Sequence, residues 1–355
     1  VPVMEKTCQP GRTVRSQAQA PVTVVVDAAS RNVLIQQEMN AMSYRLNFNE
    51  SLANDIPRIV CEQVERAIEE LNGADTDLPE AVHQVRKRCK KIRGLLRLIR
   101  GAFSESYSDE NARFRDLARR LSDARDAEAM LECFDKLYDS FSEELGTHAF
   151  ATVRHALVER RDAVQEDTGL PQRVRESAAE LQDAHARVLG WRLDSGGFAA
   201  IEQGLLCTYR RARKAMHASY DIPTPERFHE WRKRVKYHWY HLRLLREVWP
   251  APLKVLAAET RQLADLLGDD HDLAVLHRTL VHERDALGKP GEIDALLGLA
   301  ARRQDQIRAE ALPRGWRLFT EKPSGFCDRL HACWHAAECD TARAAGLTGE
   351  EEVEC

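Results

Sequence analysis

The sequence predicts an all-α protein with an internal duplication, and three observations carry that prediction. From Tyr44 onward apolar residues recur at intervals of three and four, and strand-like alternation is essentially absent. The composition is charge-rich and poor in turn formers: 30% charged, 43% hydrophobic and 6% aromatic, with 18 Gly and 13 Pro in 355 residues. Two distant segments also share one pattern of His, Arg and Lys at identical offsets. A chain of this length buries a real core as one large domain or two ordinary ones.

Taken in order, residues 1–43 read differently from the rest. Cys8 to Thr23 is rich in Gln, Ala, Pro, Ser and Thr and has no helical period. This segment reads as a disordered or mis-annotated extension; Arg12, Arg15 and Arg31 with few acids leave a transit peptide open. Helices of about 15–30 residues follow, joined by short loops. Their breaks are expected at Asn72-Gly73, Gly101–Ser108, Gly146-Thr147, Gly169–Pro171, Asp194–Gly197, Asp221–Pro225, Trp249–Pro252, Gly288–Gly291 and Pro313–Gly315. Residues 341–355 read as an acidic, disordered tail.

The 52 Lys+Arg nearly cancel against 56 Asp+Glu, leaving a net charge of −4. Bulk charge therefore identifies no polyanionic partner, and a basic site must come from segregation along the chain. Nine scattered cysteines without a C-x-x-C pair, and no visible signal-peptide core, point to a reduced, cytoplasmic protein. The run at Val24–Val26 is far too short for a membrane span, so no membrane partner is expected.

The repeat is the most informative feature. His83-Gln-Val-Arg86-Lys87-Arg88-Cys-Lys90-Lys91 lies over His229-Glu-Trp-Arg232-Lys233-Arg234-Val-Lys236-Tyr237 at a shift of 146 residues. The same register aligns Leu96 with Leu242, Arg97 with Arg243, Arg100 with Arg246, Arg115 with Arg261, Leu121 with Leu267, Asp123 with Asp269 and Asp126 with Asp272. Two halves of one ancestral unit, 44–190 and 198–340, follow as the economical explanation.

His83, Arg86, Lys90, Arg93, Arg97 and Arg100 are spaced alternately by three and four, so they line one stripe of a helix. The copy is His229, Arg232, Lys236, Trp239, Arg243 and Arg246. Beside each runs an apolar stripe, Val82, Val85, Cys89, Ile92, Leu96 and Ile99, with Phe228, Trp231, Val235, His238, Leu242 and Leu245 in the copy. Burial of the apolar stripe aims the basic one. A solvated charged face normally interleaves acids at i,i+4, yet Ala81–Ala102 contains none. At about 1.5 Å per residue the stripe spans roughly 25 Å, a length suited to a linear polyanion rather than a single phosphate.

The H-x-x-R-K-R-x-K pattern at His83 and His229 is followed in each half by an Asp-bearing motif, Ser122–Asp126 and Gly268–Asp272. With Tyr209–Lys214 and Arg317–Pro323, these segments resemble the CHAD domain, the conserved histidine α-helical domain, over Tyr44 to about Trp334. The resemblance implies two pseudo-symmetric four-helix bundles whose basic surface binds inorganic polyphosphate. The contacts it implies by position are His83, Arg86, Lys87, Lys90, Arg93 and Arg97, with His229, Arg232, Lys233, Lys236 and Arg243. The full candidate set adds Lys91, Arg100, Arg246, Arg115, Arg261, Arg210 and Arg213. The E-x-E-x-K signature of the CYTH domain often fused to this family does not occur in the sequence, which reads as a stand-alone, non-catalytic binder without cofactors. Association with polyphosphate granules is a further expectation.

The alternative is a metal-dependent hydrolase of polyphosphate or phosphate esters built on the repeated His and Asp residues. Cations beside both histidines disfavour a metal, and Asp126 and Asp272 serve equally well to orient Arg and His. Cys327, His331, His335 and Cys339 recur every four residues, but the ends lie about 18 Å apart along one helix and cannot converge. His238 falls on the apolar stripe and reads as a core histidine, with His241 its exposed neighbour. Few aromatics besides Tyr237, Trp239 and Tyr240 accompany the stripes, so specific nucleic-acid readout is not expected.

Overall fold

A computed structural model describes residues 44–73, 78–146, 148–165 and 169–344. The expected extension 1–43 and residues 345–355 of the expected tail lie outside the described residues. Among the described residues there are twelve α-helices and no strand: α1 (Leu52–Asn72), α2 (Leu78–Leu98), α3 (Ser104–Arg120), α4 (Asp123–Ser140), α5 (Ala151–Gln165), α6 (Leu170–Val188), α7 (Ala199–Asp221), α8 (Pro225–Leu244), α9 (Pro250–His282), α10 (Arg284–Leu287), α11 (Pro290–Leu318) and α12 (Pro323–Ala344). A short 3₁₀ turn, Arg246–Val248, links α8 to α9.

The junctions follow local chemistry. Proline stands at the first turn of α6, α8, α9 and α11, where its missing N–H costs nothing. Thr224 caps α8 by accepting from the Arg227 N–H. Gly197, at φ 55°, takes the left-handed conformation that turns the chain into α7.

Two sequence expectations are corrected. The break expected at Pro313–Gly315 does not occur, because α11 continues through Pro313 to Leu318. Packing outweighs the lost backbone bond there: Ala311 and Leu318 are buried, and Gly315 lies so close to Trp231 and Met216 that a Cβ would meet them at 2.7 and 2.8 Å. Residues 341–344, expected in the disordered tail, are the last turn of α12. A break not foreseen separates α3 from α4 at Leu121-Ser122, whereas the matching stretch of the second half runs uninterrupted through the 33-residue α9.

The buried apolar residues form two clusters. One gathers α1, α2, α3, α6, α7, α8, α12, the first half of α9 and the end of α11. The other joins α4 and α5 to the second half of α9, α10 and α11. The α4–α5 hairpin thus buries its apolar face against helices from beyond residue 198, and the cores are not divided along the sequence halves.

Candidate anion-binding site

Helices α2 and α8 carry the site because their apolar stripes are buried. Val82, Val85, Cys89, Ile92, Leu96 and Ile99 are at most 1% exposed, as are Phe228, Trp231, Val235, His238, Leu242 and Leu245. Each buried aliphatic or aromatic side chain of these stripes contributes on the order of 1.5–3 kcal/mol, which fixes the rotation of both helices and turns their basic stripes away from the core.

The helices meet at Gly94. A Cβ there would come within 2.9 Å of Cβ and Cδ2 of Tyr240, so glycine is what permits the approach. Across the same contact His241 Nε2 lies 3.0 Å from the Gly94 carbonyl oxygen. Gly94 and Tyr240 are themselves equivalent positions at the 146-residue shift. The flanking contacts are reciprocal: Arg97 of α2 sits 4.0 Å over the Tyr237 ring, and Lys91, counterpart of Tyr237, lies in the field of Arg243, counterpart of Arg97. Lys90 faces Arg232 and Lys236 across the crossing.

Acids are scarce where the stripes converge. No carboxylate among the described residues lies within 4.0 Å of Lys90, Arg97, Arg232 or Arg243. Neutral groups hold these cations instead. The Asn111 side-chain oxygen on α3 accepts from Arg97 at 2.7 Å and from Arg93 Nε at 3.2 Å. Arg243 stands 5.0 Å from the Trp239 ring centre and 5.4 Å from that of Tyr44, and Lys236 stands 5.2 Å from Trp239. Arg232 Nε is buried without a hydrogen-bond partner. Burial is the main cause that pushes Lys91 down to about 7, with Arg243 and Arg88 adding to it. Lys90 is an exposed residue; desolvation of its ammonium by the surrounding protein, with the nearby Arg86 and Arg232, lowers it to about 8. Desolvation likewise lowers Arg97 and Arg243.

The edges of the array are balanced by acids. Arg86 pairs with Asp126 at 3.6 Å, Lys236 with Asp265 at 3.0 Å, Arg261 with the same Asp265 at 3.5 Å, and Lys233 with Glu230 at 2.6 Å. His229 on α8 meets His271 on α9, their Nδ1 atoms 3.0 Å apart. Burial lowers both, His271 to about 3, and Arg232 acts on each.

The family model described as the CHAD domain matches residues 58–281, from α1 to the last turn of α9, and so includes both stripes and both Asp-bearing motifs. This chain belongs to the CHAD domain family. It is also similar to uncharacterized proteins of two Mycobacterium tuberculosis strains, each 29% identical over 265 residues. The alignment covers 70% of this chain and 49% of each relative, so the chain spans about half the length of the curated relatives it matches.

Within this CHAD domain the remaining candidates are distributed unevenly. His83 and Lys87 lie on the second and third turns of α2, one half-buried and one exposed. Arg100 follows the end of α2 with its guanidinium 5.7 Å from the Tyr107 ring centre. Arg246, in the 3₁₀ turn, buries its Nε without a hydrogen-bond partner. Arg115 is exposed and bound to its neighbour Asp116 at 2.9 Å. Arg213 donates to the Phe319 carbonyl at 3.0 Å, beside Tyr209, whose ring packs on His238. It joins the α11–α12 corner rather than the stripes. Arg210 is exposed on the same helix and donates to Cys207.

His241 corrects the sequence reading. It is fully buried, not exposed, because the α2–α8 crossing closes over it. His331 stacks on Phe198 with ring centres 4.5 Å apart. Among the described residues no group of three or more His, Cys, Asp or Glu side chains is placed to hold a metal ion. Nor is any described helix long and apolar enough to cross a membrane.

Asn111, Tyr44 and His271 are site residues the sequence reading missed. A lone Asn on an amphipathic helix and a Tyr ahead of the first helix leave no periodic signal. His271 sits inside the repeated Asp-bearing motif and was legible as a candidate, since it lies between Asp270 and Asp272.

Proposed function

We propose that this CHAD domain binds inorganic polyphosphate along the paired basic stripes of α2 and α8 and does not turn it over. One observation carries the reading: cations from two helices converge at the Gly94 crossing, and among the described residues no carboxylate lies within 4.0 Å of Lys90, Arg97, Arg232 or Arg243. Like charges held this close repel one another in a partly desolvated setting, and a polyanion relieves that repulsion. Two stripes of roughly 25 Å suit a chain with a charge at every few ångströms. Arg and Lys supply oxyanion donors without reading sequence. We read the two halves as copies of one unit, their tracts lying side by side as a continuous basic channel. Recruitment to polyphosphate granules fits the same reading.

Duplex or single-stranded nucleic acid is the competing polyanion. The aromatic faces of the site are occupied, Tyr237 by Arg97 and Trp239 by Lys236 and Arg243, which disfavours base stacking on them. Titration with pyrophosphate, short and long polyphosphate, and duplex DNA of matched charge tests the choice. Affinity is expected to rise with polyphosphate length and to fall steeply with salt as counterions are released. Equal affinity for DNA and long polyphosphate overturns the specificity.

A further inference from the structure

The α2–α8 crossing concentrates cationic groups with few acids among the described residues to balance them. The Lys90 head faces Arg86 on its own helix and Arg232 and Lys236 on α8, with Asp126 of α4 the acid that opposes them. On the neighbouring flank, Lys91 faces Arg243 of α8, Arg88 and Lys87 of its own helix, and Arg66 of α1. Its ammonium donates to the neutral Gln63 oxygen at 3.2 Å and stands 5.7 Å from the Tyr44 ring centre. No carboxylate among the described residues lies within 4.0 Å of either Nζ.

We propose that the tract takes up protons as it takes up anion: a phosphate chain entering the crossing drives Lys90 and Lys91 into their charged forms, so binding tightens as pH falls. The inference rests on the anion-binding reading above and adds its regulation. An ammonium crowded by other cations and partly desolvated by the protein around it loses hydration and counter-charge that favour –NH₃⁺. A phosphate oxygen restores both, as counter-ion and as hydrogen-bond acceptor. The Nζ lone pair takes a proton from solvent, and the resulting N–H donates to the phosphate.

The two groups titrate where the effect is measurable, Lys91 at about 7 and Lys90 at about 8. At pH 8 the unliganded protein therefore carries Lys90 about half charged and Lys91 about one-tenth charged, and full charging on binding takes up between one and one and a half protons, roughly. The His229–His271 pair lies further along the same stripe, facing Arg232, Lys233, Arg278, Glu230 and, for His271, Lys90. With His271 pushed down to about 3 and His229 lowered by burial, both are neutral in the unliganded protein at pH 8. Terminal phosphates gain negative charge as pH rises past about 6 to 7, which favours binding at high pH. Weakening with rising pH therefore has to come from the protein.

The test is calorimetric titration of the whole chain with long-chain inorganic polyphosphate at pH 8, in buffers of different ionisation enthalpy, and Kd measured from pH 6 to 9. We expect uptake of about one proton or more and a rise in Kd of roughly one hundred- to five hundredfold between pH 7 and 9. Arginine stays charged throughout this range, so Lys90→Arg/Lys91→Arg is expected to abolish the uptake and flatten the profile. Nζ resonances of ¹⁵N-lysine protein, followed with and without polyphosphate, read the same protonation without any substitution. Binding with no proton uptake and a flat pH profile overturns the coupling and leaves the polyphosphate reading standing. Unchanged uptake in the double variant overturns its assignment to these lysines. No binding at any pH overturns both.

Discussion

Gly94 packs directly on Tyr240, and a Cβ at position 94 would lie 2.9 Å from the Tyr240 Cβ. The two residues lie 146 positions apart, at equivalent offsets within the two basic-striped helices, so this contact joins positions that the shared His/Arg/Lys register aligns. The small residue lets the helices approach, and the approach sets Lys90 against Arg232 and Lys236.

Gly94→Ala is therefore expected to destabilise the protein by about 1–3 kcal/mol through overpacking, although alanine is the better helix former. Thermal melting checks this. A drop in melting temperature that Tyr240→Ala partly reverses in the double variant locates the strain at the crossing. A variant as stable as the parent shows that Tyr240 swings away without cost.

Among the described residues Arg97 and Arg232 have no carboxylate within 4.0 Å, whereas Arg86 and Lys236 have Asp126 and Asp265. Removing Arg97 or Arg232 should weaken long-chain polyphosphate binding by about ten- to a hundredfold each, the range of a charged hydrogen bond of roughly 1.5–3 kcal/mol. Charge reversal in either half, Arg86→Glu/Lys90→Glu or Arg232→Glu/Lys236→Glu, should cost more. Circular dichroism separates lost contacts from lost helix. If one double reversal leaves long-chain affinity untouched, the tract is confined to the other half.

Asn111 accepts from both Arg93 and Arg97 with a neutral oxygen. Asn111→Asp places a resident carboxylate where the ligand's charge is needed. We expect equal or higher melting temperature together with weaker polyphosphate binding. Tighter binding in this variant contradicts the view that the stripe is poised by the absence of acids.

His238 and His241 are fully buried, and burial lowers each to about 3 from an ordinary 6.5. Both are neutral in the folded chain and gain a proton more readily when it unfolds. Their contribution to stability is thus complete above pH 6.5 and is lost progressively as pH falls from there toward 3. His238 is ringed by Tyr209, Phe319 and Phe326 with neither ring nitrogen hydrogen-bonded, so His238→Leu should reduce the acid sensitivity of melting between pH 6.5 and 4. An unchanged pH slope shows that other groups govern it.

Incubation with long polyphosphate and Mg²⁺ or Mn²⁺ is expected to release no orthophosphate. Release that disappears in Asp126→Ala and Asp272→Ala while binding persists replaces the binding role with a hydrolytic one.

Much of this protein is local and was therefore readable in one dimension. The period of three and four determined that the chain is helical, and the same period marked Val82 to Ile99 and Phe228 to Leu245 as inward faces, because one helix repeats its direction every turn whatever surrounds it. Prolines at first turns fixed several helix starts for an equally local reason. The basic stripes followed as the faces left over.

Only the tertiary structure decided which helix lies against which. Pro313 stays within α11 because Ala311, Gly315 and Leu318 gain more from packing than the helix loses at one backbone bond. The α4–α5 hairpin joins a core of residues from beyond 198, a choice its own amphipathic pattern does not specify. His241 is buried, and Asn111 and Tyr44 enter the site, because Gly94 lets α2 and α8 close on each other. Periodicity tells a side chain which way to face along its own helix. What it then meets depends on the crossing of two helices distant in sequence, and that is set by the shape of residues such as Gly94 and Tyr240 rather than by any pattern within either helix.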